Sequence, residues 1–151
     1  MNFCSTAPYY IKDESTLPLD SLRLDPLSKE FAEKNTAWLE ALGDRGPGTA
    51  YMISKWWIRD WTRRNATKFA KKGVRIVSIS PGNVETPMYF NDTRAQCDAA
   101  LAQTPLGRHA KPYEIAELIA FLVSPKAGDI TGVNYQIDGG WEAGMNIPQV
   151  E

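Results

Sequence analysis

Tyr51 and Lys55 stand four residues apart in the segment A-Y-M-I-S-K, so on a helix their side chains share one face. A free phenol ionises near pH ~10, too high for a base at neutral pH. An ammonium one turn away favours the phenolate, so the spacing predicts a tyrosine able to exchange a proton with a ligand. The same ammonium can donate to the hydroxyls of a bound sugar. Taken alone the pair is a weak signal, since Y-x-x-x-K also arises by chance on exposed helices. A second constellation follows in V-R-I-V-S-I-S-P-G-N-V-E-T-P, where an apolar strand breaks at Pro81-Gly82. Ligands of open α/β sheets bind beyond the carboxyl ends of strands. At such an end Gly82 permits close approach of a ligand, and the Thr86 hydroxyl can meet a ligand amide. Together the two segments predict proton transfer beside a bound nucleotide.

The elements that must position these groups are legible from periodicity. Asn2 to Ser5 reads as the end of a strand, and residues 11–27 as loop. Ser28 to Leu42 has near-helical apolar spacing with Gly43 as its stop, and 43–48 reads as a loop. Thr49 to Lys72 is the longest predicted helix, with Ile53, Trp57 and Trp61 as its recurring apolar positions and Gly73 after its end. Val74 to Ile79 is a β-branched strand, and Pro81 to Phe90 a loop. A short helix is predicted over Asp92 to Gln103, capped by Asn91 or Asp92. Pro112 to Ser124 is an amphipathic helix with proline in its first turn, and Val133 to Ile137 is a further strand closed by Asp138-Gly139-Gly140. Strands separated by helices imply a parallel sheet covered on its faces. Three strands make a thin sheet, and Met1–Ser5 would expose an unpaired edge. The order suits one end of a doubly wound α/β domain.

Bulk properties exclude several classes. The 151 residues carry a net charge of −1, which gives no general attraction for a polyanion. The basic run from Arg59 to Lys72, with tryptophans interleaved, is read as one packed and one solvated helix face and not as a nucleic-acid or membrane surface. No apolar stretch reaches the ~20 residues of a membrane span, and the amino terminus has no signal-peptide pattern, so the expected location is the cytoplasm. Cys4 and Cys97 have no metal-ligand or redox spacing and are expected to be reduced thiols. His109, the single histidine, has no metal or catalytic partner nearby in sequence and is read as a surface or loop residue. No metal site is predicted.

Four segments in order carry a family resemblance: A-Y-M-I-S-K; V-R-I-V-S-I-S-P-G-N-V-E-T-P-M; P-L-G-R-H-A-K-P-Y-E-I-A-E-L-I-A-F-L-V-S-P; and I-T-G-V-N-Y-Q-I-D-G-G. From about Gly48 to Gly140 the chain resembles the short-chain dehydrogenase/reductases, and the long stretch before the tyrosine is most similar to the bacterial 3α-hydroxysteroid dehydrogenase/carbonyl reductase subgroup. The resemblance implies the carboxyl-terminal portion of a Rossmann-like doubly wound parallel sheet, without its first βαβ units. It also implies an NAD(P)-dependent oxidoreductase (EC 1.1.1.- class) passing hydride between a nicotinamide and a secondary alcohol or ketone. Tyr51 would be the acid/base, Lys55 would tune it and bind the nicotinamide ribose, and Ser5 would steady the substrate carbonyl. Tyr51, Lys55, Pro81, Gly82, Val84 and Thr86 would contact NAD or NADP. Ser15 or Ser21 could compete for the role of Ser5.

The resemblance further marks 11–48 as an insertion and 87–105 as a segment covering the substrate, with Met88, Tyr89, Phe90 and Leu101 lining an apolar pocket. It implies a homo-oligomer through the 49–72 helix, whose exposed tryptophans would lie at the interface. The family's T-G-x-x-x-G-x-G turn has no counterpart here, because Gly43, Gly46 and Gly48 precede the tyrosine helix instead of following a first strand. Neither the residue that selects NAD or NADP nor the family's catalytic asparagine can be assigned. The chain is therefore expected to be a fragment, a truncated gene product or one part of a split protein, and the alternative function is an inactive half serving as an interaction or structural subunit.

Overall fold

A computed structural model describes residues 1–146, which divide into two compact units: Met1–Thr6 with Ile58 onward, and Ala7–Trp57. The first unit is built on a three-stranded parallel sheet, β1 (Asn2–Phe3), β2 (Ser78–Pro81) and β3 (Asn134–Ile137), in that spatial order. Asn2 pairs with Ser78, and Ser78 with Asn134. Ladder-like bonds already begin before β2, where Gly132 N–H donates to Ile76 and Asn2 N–H donates to Val77.

Residues of β2 alternate between the sheet's faces. Ile79 enters a core with Val77, Ile115 and Leu122, which Val84, Leu118, Ile119 and Ile137 flank. Ile115 and Leu122 come from an amphipathic helix over Pro112–Val123 whose apolar stripe covers that face. Ser78 and Ser80 turn the other way and are fully buried, so their hydroxyls need partners. Both donate to Asn134 Oδ1, at 2.8 and 3.1 Å. Asn2 reaches Thr62 Oγ1, a fully buried hydroxyl that in turn donates to the Ile58 carbonyl.

The Ala7–Trp57 unit is helical. It contains α1 (Leu19–Leu22), α2 (Lys29–Glu40) and the first part of α3 (Gly46–Ala70). Ser28 caps α2 by accepting from Phe31 N–H at 3.1 Å. Leu22, Ile53 and Trp56 form its core, packed by Ile11, Leu17, Leu19, Trp38 and Trp57. Buried Asn35 accepts from Ser21 Oγ at 2.9 Å and donates to the carbonyls of Ser21 and Phe31.

Several boundaries depart from the sequence reading. Residues 11–27 contain the helix α1, and 43–48 is no loop, because α3 already starts at Gly46. Pro47 suits that start, since its missing N–H falls among the unpaired donors of a first turn. The tryptophans of α3 are not an exposed row. Trp56 is 1% exposed, Trp57 donates its indole N–H to the Leu22 carbonyl at 2.9 Å, and Trp61 stacks edge-on with Phe69. The packed stripe is therefore Ile53–Trp56 and, further on, Thr62, shifted from the predicted Ile53–Trp57–Trp61. No helix among the described residues is long and apolar enough to cross a membrane.

From β2 the chain runs through 82–86 into helical backbone beginning at 87–88, a π-helical turn Tyr89–Thr93, α4 (Arg94–Ala100) and a 3-10 turn Leu101–Gln103. The start precedes the predicted Asp92, and neither Asn91 nor Asp92 is the cap. Tyr89 N–H donates to Thr86 Oγ1 at 3.4 Å and Phe90 N–H to the Thr86 carbonyl, so Thr86 heads the helix. The helix Pro112–Val123, here α5, keeps its predicted bounds to within one residue, and β3 leads into α6 (Trp141–Asn146), which the sequence reading missed. Asp138 caps α6, accepting from the N–H groups of Gly140 and Glu142.

At the start of α5, Glu114 takes a bidentate pair from Arg108 at 2.7 and 2.8 Å, and a bond from the Lys111 N–H at 2.7 Å. Arg108 first, then the Lys111 amide, pull its carboxyl from 4.5 to about 2. A depressed carboxylate stabilises the fold above its ordinary range and loses that contribution as pH falls through the folded value. Glu114→Gln should therefore flatten the acid limb of the melting temperature between pH 4.5 and 2, with little change in slope above it. Superimposable acid limbs for the two proteins would contradict this.

Candidate active site

Tyr51 and Lys55 lie on α3 within the helical unit. Ile53 and Trp56 turn into that unit's core, which leaves the Tyr51–Lys55 face outward, with Tyr51 53% exposed. Lys55 Nζ stands 5.8 Å from the centroid of the Tyr51 ring, a cation–π distance. The predicted pairing of ammonium and phenol on one helix face is therefore present.

Ser5, Pro81, Gly82, Val84 and Thr86 lie in the sheet unit. Ser5 sits just past the carboxyl end of β1, where Cys4 N–H donates to Ile79 and Thr6 N–H donates to Pro81. The fold thus brings Ser5 beside Pro81 and Gly82 at one sheet edge. Ser15 and Ser21, the competing serines, belong to the helical unit, where Ser21 is engaged with Asn35.

The loop after β2 has a specific backbone arrangement. Ala110 N–H donates to the Asn83 carbonyl, and Glu85 N–H donates to the Ala110 carbonyl, both at 3.0 Å. These bonds flank Val84 on one side, so its own N–H and C=O turn to the other. Neither has a protein partner among the described residues. One donor and one acceptor presented side by side match the C=O and NH2 of a carboxamide. The residues present therefore fit a nicotinamide amide at this position.

Two predicted roles acquire a structural component. A side chain at Gly82 would place its Cβ 2.8 Å from the Asp138 Cα, so the close approach that glycine permits is made by the end of β3. The Thr86 hydroxyl accepts the Tyr89 N–H, which leaves its own hydrogen and one lone pair for a ligand.

His109 is not a surface residue: it is 7% exposed. Its Nε2 lies 2.9 Å from Asp98 Oδ1, which also accepts the Tyr89 hydroxyl at 2.7 Å. The hydrogen bond from His109, then that from Tyr89, hold the Asp98 carboxyl below its usual range. The same bond to Asp98 holds the Tyr89 phenol above its ordinary value, which disfavours it as a rival base. Sequence gave no sign of this cluster, because Asp98 is eleven residues from His109 and only the fold pairs them. Of the predicted apolar lining, Tyr89 is turned inward, while Met88 and Phe90 are 66% and 55% exposed. Among the described residues no group of three or more His, Cys, Asp or Glu could hold a metal.

Residues 36–142 match the family described as Enoyl-(Acyl carrier protein) reductase. The chain is 39% identical over 100 residues to trans-4-hydroxycyclohexanecarboxylate dehydrogenase of Sinomonas cyclohexanicum, covering 66% of this chain and 37% of that protein. It is 38% identical over 119 residues to 3-alpha-hydroxysteroid dehydrogenase/carbonyl reductase of Comamonas testosteroni, covering 77% and 46%. Among solved structures, 4-hydroxyisoleucine dehydrogenase complexed with NADH superposes with a TM-score of 0.55 at 34% identity, over 63% of this chain and 40% of that one. The chain thus spans less than half the length of these curated relatives.

Proposed function

This chain belongs to the short-chain dehydrogenase/reductase family, and from that premise we propose that it carries the proton-transfer and nicotinamide-binding part of an oxidoreductase acting on a secondary alcohol or ketone. The observation that carries the reading is the Tyr51–Lys55 pair, held outward on α3 with the ammonium over the phenol ring. Tyr51 gives a proton to the carbonyl oxygen in reduction and takes it back in oxidation. Lys55 supplies positive charge beside that oxygen and donors for ribose hydroxyls. Ser5, at the carboxyl end of β1, orients the carbonyl by hydrogen bonding.

NAD or NADP would supply the hydride. Val84 would hold its carboxamide through the paired N–H and C=O, with Pro81 and Gly82 among the lining residues and the Thr86 hydroxyl as a further donor. The NADH-bound structural relative supports a nicotinamide cofactor without choosing between the two for this chain. Exposed Met88 and Phe90 favour an apolar carbonyl, of which a hydroxysteroid is one candidate. Its expected setting is the cytoplasm, and a second copy packed along 49–72 remains part of the proposal.

A second reading is an inactive half acting as an interaction or structural subunit. The chain aligns with 37% and 46% of the two curated relatives above, so this reading is tested alongside the first. An NADH and NADPH fluorescence titration of the 151-residue chain, with its mass in solution recorded, separates the two. Saturable binding supports the enzyme reading. A folded chain that binds neither nucleotide supports the second.

A further inference from the structure

Three consecutive large side chains, Met88, Tyr89 and Phe90, open the segment read above as covering the substrate, and only the middle one is buried. The π-helical turn Tyr89–Thr93 contributes to that choice, because a widened turn re-aims the side chains on it. What holds Tyr89 inward is Asp98, one carboxylate oxygen of which takes both the phenol O–H at 2.7 Å and His109 Nε2 at 2.9 Å. The Tyr89 and His109 rings pack with centroids 4.7 Å apart.

A carboxylate only accepts, so the bond to Asp98 places the histidine proton on Nε2. Nδ1 is then a buried nitrogen without a partner among the described residues. Leaving such a group unpaired is unfavourable, so the Nε2–Asp98 bond and the ring packing must outweigh it. The cluster also reaches the loop proposed to meet the nicotinamide. His109 precedes Ala110, which bridges Val84, and Asn83 Nδ2 donates to the Cys97 carbonyl beside Asp98 at 3.3 Å.

The far end of the segment is fixed separately. Leu106 N–H donates to the Gly139 carbonyl, and a Cβ on Gly144 would come within 2.7 Å of the Gln103 carbonyl oxygen. The ends are thus tied at Thr86 and at Gln103–Leu106, and the middle is tied through Asp98, Cys97 and the Tyr89–His109 ring packing.

We propose that the Tyr89–Asp98–His109 network is a positioning clamp, with His109 as its buried donor, that sets the Met88–Phe90 face of the covering segment relative to the Val84 strip and thereby the affinity for the carbonyl substrate. The inference rests on the oxidoreductase reading for its link to substrate, and on the geometry alone for the clamp.

The first test is amide hydrogen exchange on the 151-residue chain. His109→Leu and Tyr89→Phe should speed exchange across 87–105 by about tenfold, the worth of one lost hydrogen bond, without changing exchange in α5. His109→Gln, whose amide can donate in place of Nε2–H, should stay close to the parent protein. Unchanged exchange in Tyr89→Phe would overturn the clamp. A glutamine variant as open as the leucine variant would overturn the donor role. If His109→Leu does not fold, Tyr89→Phe decides.

The second test is kinetic, in the form of the protein that turns over a ketone. His109→Leu or Tyr89→Phe should raise KM for the ketone about fivefold or more, with kcat and NADH affinity within about twofold, and His109→Gln should restore KM. An unchanged KM would overturn the positioning role. Faster exchange in a protein that turns over no ketone would support the clamp and count against the oxidoreductase reading, so the two failures are distinguishable.

Discussion

Replacing Tyr51 by Phe should lower turnover of a ketone by about 10²–10⁴-fold, the usual worth of a positioned acid/base, while leaving nicotinamide binding nearly intact. The substitution removes one oxygen from a ring whose position is set elsewhere. Ile53 and Trp56 anchor α3 from its opposite face, and the Lys55 ammonium stands over the ring, which phenylalanine keeps. The helix and the ammonium should therefore stay where they are, and only the proton source disappears. Loss of kcat with an unchanged NADH dissociation constant is the expected pattern, because a proton transferred during reaction contributes little to the ground state. Full activity in Tyr51→Phe would remove Tyr51 from the mechanism. Equal losses of turnover and cofactor binding would show that it acts through the binding site.

Trp56→Ala should destabilise the protein by about 3–5 kcal/mol, the range for truncating a buried aromatic side chain. Trp56 is 1% exposed and shares a small core with Leu22 and Ile53. Its neighbours are held by their own elements, so they relax only partly into the space left behind and a cavity should persist. The neighbouring Trp57 is tied by its indole N–H to the Leu22 carbonyl, so its environment depends on the same packing. Urea denaturation followed by tryptophan fluorescence and by circular dichroism checks both effects. A loss below about 1 kcal/mol would show that Trp56 does not close this core. The result also bears on function, since Trp56 adjoins Lys55 on the helix that presents Tyr51.

The two expected results draw on different kinds of legibility. Tyr51 and Lys55 are readable because both side chains belong to one helix, and helix geometry alone brings positions i and i+4 together. The identity of the buried stripe on that helix was not. The pattern Ile53–Trp57–Trp61 has the right period, yet the structure buries Trp56 and Thr62 instead, because neighbouring elements choose the face. Asn2 gives Thr62 a hydrogen bond that no apolar periodicity can announce. Thr86 was read as a ligand donor, and its capping role appeared only once the helix was seen to begin at 87–88.

By itself the sequence determined the alternation of strands and helices that gives a parallel sheet, the Tyr51–Lys55 pair, and the ordered segments that mark the family. Each of these is local, written in period, spacing or turn chemistry within a few residues. Tertiary structure alone decided what Ser5, Gly82, Val84 and His109 can do. Strand pairing brings Ser5 beside Pro81 through the adjoining Thr6 N–H, Gly82 yields its space to Asp138, and Val84 has two backbone groups with no partner among the described residues because Ala110 pairs with its neighbours. His109, read as a surface or loop residue, is in a loop but buried, because Asp98 and Tyr89 are folded against it. These outcomes depend on contacts between distant segments, whose partners are fixed by packing and hydrogen-bond satisfaction in the assembled fold and by nothing within reach along the chain.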